Sequence, residues 1–255
     1  MLLSSRLKQF LYQCITPGYS WPAIDIWLPG QRYLHLVGSI HMGTQGMSPL
    51  PPGLIKRLKR ADALVVEADI SGHESPFAGL ESDLPLAERL NEAQLAELTR
   101  VAEETGVSLS MIDTLPLWQI AMVLQATQAQ RLGLRGDYGI DYQLLNVARA
   151  RRMPIIELEG TDSQIALLRE LPDDGLMLLD DTLTHWHTNA RLLQTMIGWW
   201  LDAPPEDGKL ALPSTFSESL YDVLMNARNK AWRQTLHALP AGHYVVAVGA
   251  LHLYG

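Results

Sequence analysis

The sequence is poor in cysteine, in long apolar runs and in positive charge. Cys14 is the single cysteine among 255 residues, which excludes an intramolecular disulfide and a cysteine-based zinc cluster. No stretch reaches the ~18–20 consecutive apolar residues that a membrane helix requires. Twenty basic side chains face 28 acidic ones, a formal charge of −8, so no basic surplus exists for nonspecific nucleic-acid binding. There is no Gly-x-Ser-x-Gly elbow, no phosphate-binding loop and no His-Glu-x-x-His zinc helix. The opening MLLSSRLKQFLYQCITPGYSWP carries Arg6 and Lys8 where a signal peptide places its apolar core. It is read as an amphipathic helix, and the chain is expected to be cytoplasmic.

What is present describes a globular chain. Its hydrophobic share is 47% and its charged share 19%, which excludes a disordered or low-complexity class. AIDIWLP (23–29) and YLHLV (33–37) read as strands about a Gly30-Gln31-Arg32 turn. ALVVE (63–67) is a compact apolar run that suits a strand covered on both faces. Asn91 and Gly106 mark a helix by its N-cap and stop, and Pro116 opens another. Helices follow at 139–151 and 162–171, a long one at 175–201 softens near Gly198, and a last runs from Ser217 to about Ala238. Strands are expected at 154–159 and 243–248. The order implies an α/β fold, one domain over 1–255, with a large helical insert at about 80–205.

One chemical pattern occurs twice. RYLHLV runs into Gly38-Ser39-Ile40-His41, and HYVVAV runs into Gly249-Ala250-Leu251-His252. Glycine at a strand end permits a sharp turn or a close approach. In open α/β sheets, ligands sit outside the carboxyl ends of parallel strands. Two such histidines are candidates to converge on one point, and imidazole is the commonest metal ligand. A single Gly-x-x-His is commonplace; the repeat after two apolar strands is what carries weight. Glu67 ends the strand ALVVE, where a buried, unpaired carboxylate costs several kcal/mol. It is read as a third metal ligand, a general base, a helix cap or a surface group. Asp69 would share its face if the strand continued.

The passages HLVGSIHMG, MSPLPPGL, ADALVVEAD, GIDYQLL, IELEG, Arg228-Asn229 and VVAVGALHLYG resemble the TraB/GumN family, which includes the Tiki metalloproteases. The stretch LDDTLTHWHTNARLL resembles enterobacterial members in particular. The resemblance implies a central mixed sheet with pseudo-symmetric halves, related to erythromycin esterases and ChaN-like haem-binding proteins. It implies a metal-dependent hydrolase, most directly a peptidase, using manganese, cobalt or zinc. His41, His252 and Glu67 match the family's metal-site positions, Glu67 and Arg228 the catalytic ones. An ion so held activates its water, with Glu67 as base if it is not a ligand. Arg228 stabilises an oxyanion, binds a substrate carboxylate or serves a structural ion pair. Partners implied are a peptide or small-molecule substrate. The rival readings are a metal-free esterase-like hydrolase and a haem- or peptide-binding protein without turnover.

Other candidates are weaker. His185 and His187 lie two apart on an expected helix and so face different sides. His35 is expected opposite Leu34 and Leu36. His73 and Glu74 read as a solvated loop. Trp186, Trp199 and Trp200 are expected to pack the helical insert.

Overall fold

A computed structural model describes residues 19–69, 84–205 and 212–255. The expected N-terminal helix, Cys14, His73 and Glu74 lie outside these residues. Five strands form one mixed sheet in the order β1-β2-β5-β3-β4. They are β1 (Ala23–Leu28), β2 (Arg32–Ser39), β3 (Ala63–Val66), β4 (Ile155–Glu157) and β5 (Gly242–Gly249). β1 runs antiparallel to β2, whereas β2, β5, β3 and β4 run parallel. β2 and β5 are direct neighbours, with Ser39 opposite Gly249. The two Gly-x-x-His turns therefore leave the same edge of the sheet side by side. The α/β class and the mixed sheet are as expected. β4, from within the expected insert, is part of the sheet, and nothing in the strand order relates one half to the other.

The strands alternate with period two, as a sheet covered on both faces demands. Val37, Leu64, Val66, Val245 and Ala247 face one layer. Leu34, Leu36, Ala63, Val65, Val246 and Val248 face the other. The first layer contains α1 (Pro52–Leu58). Two further helices, α2 (Glu92–Thr105) and α3 (Leu117–Arg131), precede α4 (Ile140–Ala150), which also lies on the first face. α5 (Thr161–Arg169), α6 (Leu176–Thr184) and α7 (Trp186–Leu201) follow, then α8 (Ala227–Ala238) over the second face and α9 (Ala250–Tyr254). A separate apolar cluster joins α2, α3 and α6 with Trp186. Asn91 caps α2 by accepting from the Gln94 N–H at 2.9 Å, and Gly106 ends it at φ 75°. Among the described residues no helix is long and apolar enough to cross a membrane.

Two expectations are corrected. The long helix breaks at His185 (φ −100°, ψ 19°), while Gly198 sits within α7. Buried Trp186 sets the break: its indole donates to Glu104 and its carbonyl accepts from the Gln128 amide, each at 2.9 Å. His185 is thus a junction residue, and the helical-face argument does not apply to the pair. Trp186 packs the helical cluster, but Trp200 joins the sheet core and donates to the Gly38 carbonyl at 3.0 Å. Trp199 packs on Tyr254.

The turn after β2 is pinned from outside the sheet. Gly43 and Arg135 exchange backbone hydrogen bonds of 3.0 and 2.8 Å, and the Ile140 N–H donates to the Ile40 carbonyl at 2.9 Å. Gly139 allows this contact, because a Cβ there would lie 2.2 Å from the His41 carbonyl oxygen. Gly139→Ala is expected to destabilise the fold by about 1–3 kcal/mol, as overpacking does. The denaturant midpoint should fall at an unchanged slope; an unmoved midpoint would show that the two segments separate without penalty.

Candidate active site

The pinned turn sets His41 over the start of α4. Asp141 is the second residue of that helix, where the helix dipole favours a negative charge. Its Oδ2 lies 3.0 Å from His41 Nδ1. The carboxylate is buried, whereas the His41 side chain is 60% exposed. Nε2 of His41 is thus open while Nδ1 is anchored. The facing Asp141 carboxylate raises the His41 pKa to about 9, with Glu67 adding to the effect and Arg228 opposing it. Burial alone would raise Asp141, but the His41 charge and its hydrogen bonds outweigh that and hold it below the ordinary 3.8.

The second half of the site gathers at the ends of β3, β4 and β5. Glu67 follows β3 and is 6% exposed. Its Oε1 accepts the Gly249 N–H at 2.6 Å, and its Oε2 accepts from Arg228 Nη2 at 2.7 Å and Gln164 at 3.3 Å. Glu159, two residues beyond β4, accepts from Arg228 Nε at 3.1 and 3.2 Å and from the Trp232 indole at 3.2 Å. The Arg228 guanidinium also stacks over the Trp232 ring at 4.6 Å.

Arg228 reaches this place through an irregular helix. Residues Asp222–Asn226 form a π-helical turn between the helical turn Glu218–Tyr221 and α8. Such turns insert a residue into the α-helical register and recur at functional sites. Arg228, Asn229 and Trp232 then all meet the site.

His252 lies in α9, three residues after Gly249. Its Nδ1 lies 2.8 Å from Asn229 Oδ1, and its Nε2 lies 3.2 Å from Arg228 Nη1. Guanidinium nitrogens only donate, so Nε2 must accept and the proton sits on Nδ1. Burial first, then the charges of Arg228 and His41, lower its pKa to about 3. His252 is therefore the neutral member of the pair and His41 the protonated one.

The structure joins Glu67, Arg228 and His252 by direct contacts and sets His41 within electrostatic reach of all three. Among the described residues, no three His, Cys, Asp or Glu side chains are gathered closely enough to hold an ion. Arg228 stands between Glu67 and His252. The donors suit a divalent ion in kind: both imidazoles have Nδ1 anchored by an oxygen, which leaves Nε2 as the coordinating atom. Arg228 must yield its contacts for His252 Nε2 and Glu67 to serve. Asp69 does not share the Glu67 face. β3 stops at Val66, and Asp69 pairs with Arg149 and donates its N–H to Glu157. Beside Glu159 opens a groove of about 960 Å³, lined by Tyr142, Asn146, Arg149 and Asp162 among others.

Asp141, Glu159, Asn229 and Gln164 complete the site without having been assigned roles from sequence. Asp141 was legible in one respect: an acid directly after Gly-Ile at a helix start.

A mixed sheet carries a Gly-x-x-His turn on each of two neighbouring parallel strands, with a glutamate and an arginine between. The chain belongs to the TraB/PrgY/gumN family, whose model matches residues 27–255. It is 64% identical over 237 residues to the uncharacterized protein YbaP of Escherichia coli (strain K12), covering 93% of this chain and 90% of that one. YbaP of Shigella flexneri matches with the same identity and coverage. No solved structure matches the chain.

The His41–Asp141 pair predicts a pH signature. A raised imidazole pKa stabilises the fold fully below the ordinary 6.5, and that contribution is lost as pH rises through about 9. The lowered Asp141 pKa contributes above 3.8 and fails in stronger acid. NMR titration of the His41 ring should give a midpoint well above 6.5, and Asp141→Asn should bring it down to the ordinary range. A midpoint unmoved by Asp141→Asn would show that the carboxylate does not govern the ring.

Proposed function

We propose that the chain is a divalent-metal-dependent hydrolase, acting as a peptidase. The observation that carries this reading is the matched treatment of two histidines from neighbouring strand ends. Each has Nδ1 set against an oxygen, and buried Glu67 lies within electrostatic reach of His41 and is joined to His252 through Arg228. His41 and His252 would hold the ion through Nε2, and Glu67 would be a further oxygen donor only where it does not serve as the general base. Manganese, cobalt and zinc all accept such ligands. A bound ion of this kind supplies a Lewis acid and a water with a pKa lowered toward ~7.

The chain's own residues do the rest. Asp141 and Asn229 orient the imidazoles. The Gly249 N–H fixes Glu67 Oε1, so Oε2 is the atom that takes a proton from the attacking water and returns it to the leaving amine. Arg228, once off Glu67, carries its charge to the developing oxyanion or to a substrate carboxylate. The groove beside Glu159 leaves room for an extended peptide. We place the protein in the cytoplasm, acting on a peptide or small molecule and not on nucleic acid.

One observation favours a second reading. Arg228 already supplies a cation to Glu67 and His252, so a metal-free hydrolase would use Arg228 as its electrophile and one histidine as its base: His252, the neutral one, with protonated His41 as the acid.

Measuring metal content and peptide hydrolysis on the same samples separates these. Glu67→Gln should lower the rate by ~10²–10⁴-fold, as loss of a general base does, while metal is largely retained. His41→Ala or His252→Ala should lower metal content; His185→Ala and His187→Ala should not. Turnover that survives a chelator would establish the arginine-based reading instead. A Soret band on haem addition, with no hydrolysis of any peptide, would make the protein a binder.

A further inference from the structure

A cavity of about 1080 Å³ lies at the other end of the sheet. Its lining includes Tyr33 and His243, at the amino ends of β2 and β5, and Asp62, just before β3. It is thus remote from the edge that carries His41 and His252.

Its floor is a closed hydrogen-bond network. The Trp21 indole donates to His35 Nε2 at 3.1 Å, so the His35 proton is on Nδ1 and goes to Asp25 Oδ1 at 2.7 Å. The Tyr19 hydroxyl donates to the other Asp25 oxygen. Asp62 Oδ2 likewise accepts the His243 backbone N–H at 2.8 Å. Both carboxylates of the cavity are engaged within the protein.

The cations are not balanced in this way. Lys56 and Arg57 on α1, and Arg60 just beyond it, line the same space. Arg57 donates to the uncharged hydroxyls of Tyr33 and Tyr19, each at 2.7 Å, and its guanidinium lies 4.6 Å over the Tyr19 ring. Lys56 and Arg60 are exposed and form no ion pair among the described residues. On a chain of net charge −8, this is a local positive surplus inside a concavity.

An aromatic wall stands next to it. Trp27 is 56% exposed, an unusual outlay of apolar surface for so large a ring. It packs on Tyr33 with ring centroids 4.6 Å apart, and Tyr33 packs on His243 at 5.4 Å. Tyr33 joins the two features, with its ring on Trp27 and its hydroxyl on Arg57. A planar ring stacked on this wall would present an attached anionic group to the cations of α1.

We propose that this cavity is a second binding site, taking a small anion borne on a planar ring, of which a nucleoside monophosphate is the type. Stacking on Trp27 and charge pairing with Lys56, Arg57 and Arg60 supply the recognition. The floor supplies shape, since its polar groups have no hydrogen bond left to give.

Isothermal titration of the full chain with adenosine 5′-monophosphate tests this, with adenosine and inorganic phosphate as separated halves of the probe. Saturable binding of the nucleotide is expected, about tenfold or more tighter than either half. Trp27→Ala should weaken it by about tenfold, the scale of a lost base–aromatic stack. Arg57 also holds two tyrosines, so its replacement could perturb the fold. The exposed pair Lys56→Gln with Arg60→Gln avoids that problem and should weaken binding by about tenfold and flatten its salt dependence. Lys230→Gln, an exposed charge on α8, should leave affinity unchanged. No saturable nucleotide binding, or equal affinity in the wild type and the Trp27 and Lys56/Arg60 variants, overturns the proposal. So does binding to phosphatidylserine vesicles without nucleotide binding, which would make this face a membrane-surface contact.

Discussion

Glu67 and Glu159 stand at neighbouring strand ends with little access to water, and carboxylates so placed repel unless a cation stands between them. Arg228 is that cation. Its guanidinium spans Glu67, Glu159 and His252, and the fork geometry lets one side chain meet all three. The ends of β3, β4 and β5 are thereby tied together by a residue from the helix that covers the opposite sheet face. Removing it would leave two carboxylates short of a partner, a loss of roughly 3–5 kcal/mol where such a pair is fully buried.

The same interaction explains the division of labour between the histidines. Burial first, and then the Arg228 charge, keep His252 neutral; Arg228 also fixes its tautomer, with Asn229 Oδ1 accepting the hydrogen bond from Nδ1. His41 stands farther from that charge and faces Asp141, so it holds its proton. An ion bound there as proposed would therefore have to displace a proton from one imidazole and a guanidinium from the other. Two histidines drawn from the same short motif have been placed in opposite electrostatic states by their neighbours.

Much of this was legible in local patterns. Apolar runs followed by a glycine marked β2 and β5, and Asn91 with Gly106 marked both ends of α2. A glutamate directly after four apolar residues marked Glu67 as a group in need of partners. What escaped depends on contacts between distant segments. The break at His185 has no glycine or proline to announce it; it follows from where the Trp186 indole and carbonyl find partners. The π turn before Arg228 has no compositional signal, yet it helps decide which residues of α8 meet the site. Asp141 became a partner of His41 only because Gly139 lets α4 dock on the turn. The metal-site triplet was read from strand ends alone, and that view could not show the arginine between two of its members.

The order of the sheet also bears on how the protein is made. Among the described strands β5 comes last in the sequence, yet it lies between β2 and β3. Until it emerges from the ribosome, the strands that carry His41 and Glu67 have no hydrogen-bonded connection to one another. Pairings across such sequence distances also form slowly. A nascent chain therefore holds His41 and Glu67 apart until β5 has been made. The segment that closes the sheet carries Gly249 and leads into His252, so the scaffold and the cluster around Glu67 assemble together.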